Sequence, residues 1–191
     1  MCIRDSYWIE NHLQSPALKI FFEFMTNKKN FVIPGAITGL IVLLIYKKHG
    51  LAFILTTALV VAIDDAFPHQ VIKPLVGRPR PCHALDILKH IANCSNSFSF
   101  PSNHAVNAFT IASISSLYFR NRAVIIITFT AALMIALSRV YLGQHYPTDI
   151  LAGAILGSAV GYLGSKLIPT ILRFLNALPK IEQWTNPTKN S

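Results

Sequence analysis

Five apolar runs, at residues 31–46, 51–67, 105–119, 123–141 and 150–168, constrain this chain more than any other feature of it. In a bilayer core no backbone N–H or C=O can be left unpaired, so only helices or closed barrels span it. Runs of this length are too long for barrel strands. The first and third are shorter than the ~20 residues of a perpendicular helix, so flanking residues must complete them. The fold class that follows is all-α: a polytopic membrane helix bundle of about five transmembrane helices. Apolar residues make up 52% of the 191 and charged residues 13%, against the ~25% charge of a soluble domain. An unusually apolar soluble helical protein is the weaker alternative. In the fifth run Gly153, Gly157 and Gly161 recur every four residues, a row that permits close helix packing.

Ahead of these runs, residues 6–26 mix apolar and polar types at roughly helical spacing, with Trp8, Ile9, Leu13, Leu18, Ile20, Phe21, Phe22 and Phe24 on one broad face. This predicts an amphipathic helix lying on the membrane surface. A sixth span would have to bury Glu10 and Glu23. The organisation expected is an N-terminal segment over 1–30, a membrane domain over 31–170 and a tail over 171–191. No cleavable signal peptide is visible in the first thirty residues. The net charge of +9 fits membrane-flanking cations and an anionic ligand better than a nucleic-acid stripe.

Chemistry gathers in three polar clusters. Lys73 to Pro81 reads KPLVGRPRP, Pro101 to His104 reads PSNH, and Ser138 to Asp149 reads SRVYLGQHYPTD. Counting crossings puts all three on one membrane face. Charge is costly there, so such a gathering is a functional hypothesis by default. Prolines stiffen the segment that carries Lys73 and Arg80, and a guanidinium fork suits phosphate oxygens. Ser102 reads as a helix N-cap, which leaves the N–H groups of Asn103, His104 and Ala105 free to meet an anion. Asp149 follows His145 by four residues. It is near enough to accept the Nδ1–H and so leave the lone pair on Nε2. Taken singly, each cluster has a bland reading: a basic flanking loop, an interfacial histidine, a structural His–Asp pair.

Together the clusters resemble the signature of the type-2 phosphatidate phosphatase superfamily: K-x6-R-P, then P-S-G-H, then S-R-x5-H-x3-D. The resemblance covers residues from about Lys73 to Asp149, and Asn103 stands where the pattern has Gly. It implies an integral membrane lipid phosphatase that needs no metal and no cofactor. By the resemblance, His145 attacks phosphorus and forms a phosphohistidine, Asp149 orients it, and His104 protonates the leaving oxygen and then activates water. Lys73, Arg80, Ser102, Asn103 and Arg139 would hold the phosphate. A bell-shaped pH profile is expected, because His145 must be neutral while His104 is protonated.

Around this set, Arg78 is expected at the lipid headgroup or in solvent, Asp64 and Asp65 against a cation of the site, and Tyr141 and Tyr146 at the interface. Cys82 and Cys94 share one connection, and a disulfide is favoured if it faces an oxidising compartment. A zinc site of Cys82, His83, His90 and Cys94, or free thiols, are the alternatives. The positive-inside bias puts the clusters on the periplasmic or external side of a bacterial inner membrane. The partners expected are a lipid phosphate and the bilayer, with no nucleic acid and no obligate protein. Undecaprenyl diphosphate is the first choice of substrate. Phosphatidylglycerol phosphate, phosphatidate and lipid A 1-phosphate follow. A non-catalytic protein that binds anionic lipid is the alternative from another class.

Overall fold

The computed structural model describes residues 15–84 and 94–178. Expectations that fall on residues 6–14, on His90 and on the tail beyond 178 lie outside these. Among the described residues the chain is helical, with no strand.

Helix α1 (Pro16–Thr26) starts at Ser15 with Pro16 in the first turn, where a missing N–H costs nothing. None of its residues is buried. Ile20 and Phe24 stay 69% and 55% exposed, and Glu23 is exposed too. It therefore buries no charge, as a surface helix should. Its Phe22 ring packs on Tyr141, centroids 4.6 Å apart.

Helix α2 (Lys28–Phe67) contains both of the first two apolar runs. Its path turns sharply at Lys47, which takes φ 50° and ψ −122°, and Gly50 comes back onto Val42. A Cβ on Gly50 would stand 2.5 Å from the Val42 carbonyl oxygen. A π-helical turn (Pro68–Ile72) and two short helices, α3 (Lys73–Val76) and α4 (Pro81–Ala84), follow. Then come α5 (Asn103–Phe119), α6 (Arg122–Tyr141), α7 (Pro147–Ser165) and α8 (Ile168–Ala177).

Three helical stretches among the described residues, Lys28–Ala84, Arg122–Tyr141 and Pro147–Ala177, are long and apolar enough to cross a membrane. The 17 residues of α5 reach only ~25 Å at 1.5 Å each. Leu44, Ile126 and Ile155 are about two-thirds exposed, whereas Thr56, Thr110, Ser113 and Ser138 are buried. Large apolar residues outside and small or hydroxylated ones inside is the pattern of helices whose outer solvent is lipid. Sequence reading missed α8, because it took residues from 171 on as a tail. Ile168 joins Ala52, Val60 and Ile114 in a small core, and Lys48 Nζ donates to the Leu175 carbonyl at 3.4 Å.

Candidate active site

The glycine row decides where the site can form. A Cβ on Gly153 would lie 2.8 Å from Ser102 O, one on Gly157 2.2 Å from Val106 O, and one on Gly161 2.7 Å from Thr110 O. Both sets of residues advance by four together, so α5 and α7 run parallel with their backbones in contact. Their N-termini therefore share one end of the bundle. Ser102 N–H donates to the Asp149 carbonyl at 3.1 Å across that end. Helix α6 supplies the return crossing, and Arg139 falls in its last turn.

His145 sits in the tight connection from α6 to α7. The backbone N–H groups of Gln144 and His145 both donate to the Arg139 carbonyl, at 2.9 and 3.1 Å. Gly143 allows this turn with φ 61°, a left-handed value that favours glycine. The ring is 2% exposed. Arg80 Nη1 lies 3.1 Å from His145 Nε2. A guanidinium has donors only, so Nε2 meets it with its lone pair and the ring proton is on Nδ1. That nitrogen is 3.6 Å from Asp149 Oδ2 and 3.5 Å from Ser99 Oγ. Burial pushes the imidazole from its ordinary 6.5 down to about 4; Asp149 opposes the fall, while Arg80, Arg139 and Lys73 reinforce it.

Asp149 is fully buried, and its carboxylate is well supplied with donors. Arg78 Nη1 reaches Oδ1 at 2.7 Å. The Tyr146 N–H donates to Oδ2 at 2.9 Å, and Ser99 Oγ donates to the same oxygen. Arg78 is thus turned inward, not out to a headgroup or solvent as expected. It also donates to Thr148 Oγ1 at 2.7 Å and lies 3.9 Å over the Tyr146 ring. Tyr146 and Tyr141 are buried, at 4% and 6% exposure, which corrects their reading as interfacial aromatics. Each is enclosed by a polar group that the sequence does not place beside it: Arg78 over Tyr146, and the Ser15 backbone N–H at the Tyr141 hydroxyl, 3.2 Å away.

The segment Ser97–Phe98–Ser99 works as a strap across the cations. Arg80 Nε donates to Ser97 O at 2.8 Å and Nη2 to Ser97 Oγ at 2.9 Å. Its Nη1 also donates to Gln144 O at 3.1 Å. Lys73 Nζ donates to Phe98 O at 2.7 Å, and the Ser99 N–H donates to Arg78 O at 2.8 Å. Lys73 and Arg80 are buried, at 3% and 5% exposure. The strap is tied at its start by a disulfide from Cys94 to Cys82, with the Cα atoms 6.2 Å apart. The Cys82 N–H in turn donates to Gly143 O at 3.2 Å. Sulfur and imidazole atoms of Cys82, His83 and Cys94 lie within 4.8 Å of one another, with both sulfurs engaged in the disulfide.

His104, in the first turn of α5, belongs to a different setting. It lines a cavity of about 260 Å³ together with Thr26, Lys28, Phe31, Asp65 and Ile135. Ser102 takes the N-cap position, but its hydroxyl makes no cap bond and is buried without a hydrogen bond among the described residues. The same is true of Asn103 Oδ1 and Arg139 Nε. Arg139 Nη1 donates to Thr26 Oγ1 of α1. Asn103 Nδ2 donates to the Asp65 carbonyl at 3.3 Å and Asn107 Nδ2 to Asp65 Oδ1 at 2.6 Å. Asp64 and Asp65 separate here. Asp65 faces Lys28 at 3.8 Å, with the lysine side chain 64% and the aspartate 48% exposed. Asp64 is buried and accepts from Thr110 rather than from a cation of the site, because successive helix positions point about 100° apart.

The sequence reading missed Ser97, Ser99 and the carbonyls of Phe98 and Gln144. The alternation Ser97–Phe98–Ser99 was the available signal, but backbone acceptors leave no trace in residue type.

Residues 49–173 match the PAP2 superfamily, and the chain belongs to that family of membrane lipid phosphatases, hydrolases that act on phosphate esters. Over 160 residues it is 33% identical to a lipid A 4'-phosphatase of Bacteroides thetaiotaomicron, covering 80% of this chain and 71% of that one. Over 154 residues it is 32% identical to phosphatidylglycerophosphatase B of Bacillus subtilis, covering 73% of each. The crystal structure of a transmembrane PAP2-type phosphatidylglycerolphosphate phosphatase from Bacillus subtilis superposes with a TM-score of 0.66 at 27% identity, covering 90% of this chain and 88% of that one.

Proposed function

We propose that this protein removes the terminal phosphate of an envelope lipid through a phosphohistidine at His145. The observation that carries the reading is the His145 ring: buried, with the Nε2 lone pair turned to Arg80 and the Nδ1–H turned to Asp149. An arriving phosphate takes over Arg80 Nη1, and the Nε2 lone pair forms the N–P bond as the P–O bond to the lipid breaks. His104 gives its proton to the leaving oxygen. It then takes a proton from water, whose oxygen attacks phosphorus and frees His145 and inorganic phosphate. Lys73, Arg80 and Arg139 neutralise the phosphoryl oxygens, aided by Ser102 Oγ, Asn103 and the N–H groups at the start of α5. Fixed positive charge of this kind stabilises the transition state by electrostatics, so activity should persist in a chelator.

The substrate best supported is the 4'-phosphate of lipid A, through the likeness to the Bacteroides thetaiotaomicron enzyme. Phosphatidylglycerol phosphate is the second reading, supported by the Bacillus subtilis structure. The face proposed for the site is periplasmic or external, at a bacterial inner membrane. The disulfide next to Arg80 supports that side, because such bonds persist in oxidising compartments. The deciding test is phosphate release by purified protein from lipid A, phosphatidylglycerol phosphate, phosphatidate and undecaprenyl diphosphate, with His145→Ala as control and EDTA in a parallel arm. Release from none of them, with tight lipid binding retained, would favour the non-catalytic lipid-binding reading.

A further inference from the structure

Ser99 is absent from the histidine and cation signature, yet it stands between two of its members. Its side chain is fully buried. Its hydroxyl donates to Asp149 Oδ2, and its oxygen lies 3.5 Å from His145 Nδ1. The direct Nδ1 to Oδ2 separation is 3.6 Å, beyond a good hydrogen bond. The Nδ1–H therefore has two weakly engaged acceptors rather than one strong one. The hydroxyl proton of Ser99 is committed to a carboxylate that can only accept, which leaves its lone pairs to face the ring. The backbone holds it there, because the Ser99 N–H is fixed on Arg78 O at 2.8 Å and Arg78 itself is paired to Asp149 Oδ1 at 2.7 Å.

We propose that Ser99 is a positioning residue for the nucleophile: with Asp149 it forms a His145–Ser99–Asp149 chain that holds the ring by its Nδ1–H, so that the Nε2 lone pair stays aimed at Arg80 and an arriving phosphate. Around the ring the other charged groups are Arg80 on Nε2 and the nearby Lys73, Arg139 and His104. All of these are cations or are made cationic by a proton, so Asp149 and Ser99 are the acceptors left for the Nδ1–H. As the ring becomes cationic on phosphorylation, the Nδ1–H becomes a stronger donor and both contacts tighten. The contribution is thus larger in the transition state than in the bound substrate.

The test uses the full-length protein with Ser99→Ala, which removes the hydroxyl and little volume. Turnover should fall about 10- to 100-fold, the loss typical when the partner behind a metal-bound imidazole is removed, with KM within about twofold. In 15N spectra of His145 the Nδ1–H form should dominate in both proteins, because Arg80 still meets Nε2, and the Nδ1 resonance should shift in the variant as the ring loses one of its two acceptors. Turnover within about twofold of wild type, or an unchanged Nδ1 resonance, would overturn the proposal. A fall in turnover matched by a fall in melting temperature with the Nδ1 resonance unmoved would likewise assign Ser99 to packing. The kinetic arm rests on the phosphohistidine reading and the spectroscopic arm does not. If no lipid releases phosphate, that reading fails while the Nδ1 resonance still decides the role of Ser99.

Discussion

The two histidines stand in unlike surroundings. Around His145 nearly every polar atom is engaged. Arg80 makes four contacts, to Ser97, Gln144 and His145, and Asp149 receives from Arg78, Tyr146 and Ser99. Around His104 the polar groups are loosely held. Ser102 Oγ, Asn103 Oδ1 and Arg139 Nε have no hydrogen bond among the described residues, and the cavity beside the ring is bordered by a half-exposed Lys28–Asp65 pair. The difference suits the roles proposed for the two rings. A nucleophile gains from fixed geometry, since misplacement of about 1 Å is costly. A proton donor that serves first a leaving lipid and then water needs room and uncommitted donors.

The largest expected effect is on the rigid side. His145→Ala should lower phosphate release by at least ~10⁴-fold and abolish an acid-labile phosphoprotein in quench experiments; retention of a tenth of the activity would remove the basis of the comparison. Next comes Arg80→Lys, with kcat/KM down ~10²- to 10³-fold, because an ammonium cannot reach Ser97, Gln144 and phosphate at once. The loose side should respond far less. Lys28→Ala removes an exposed ion pair of the kind worth ~0–1 kcal/mol, and initial rates should stay within about fivefold. Equal losses in these two variants would erase the contrast.

A pH titration sharpens it further. The folded-state pKa of His145 is depressed to about 4, so the reactive neutral ring persists below the ordinary 6.5 and is lost only as pH falls through about 4. The acid limb of a kcat/KM profile should therefore lie near pH 4; a limb at 6.5 would mean that the ring is solvated. The smallest effect expected is for Asn103→Gly, which restores the family pattern. It deletes one long bond to the Asp65 carbonyl, worth ~1 kcal/mol, and turnover should change less than about threefold.

Much of this could be read before any coordinates. Apolar runs gave the helical membrane class, and the spacing from His145 to Asp149 brought that pair together. The Gly153, Gly157 and Gly161 row was legible as a packing seam, though not as the contact that aligns α5 with α7. What escaped was the role of residues whose partners are distant in sequence. Arg78 read as an outward cation and Ser99 carried no signal of its own until the fold set both against Asp149, and Tyr141 and Tyr146 looked like interface residues until they were found buried. Asp64 and Asp65 are neighbours with opposite surroundings, which a helix imposes but composition conceals.

Residue type and spacing alone therefore determined the solvent this chain folds in and the chemical groups it brings to one face. Both follow from local physics: the cost of charge in hydrocarbon and the turn of a helix. Only the tertiary structure decided which groups face each nitrogen of His145, which acceptors hold Lys73 and Arg80, and which histidine keeps open space beside it. Those outcomes depend on backbone carbonyls and on contacts between segments far apart in the chain, and neither leaves a mark in the order of side chains.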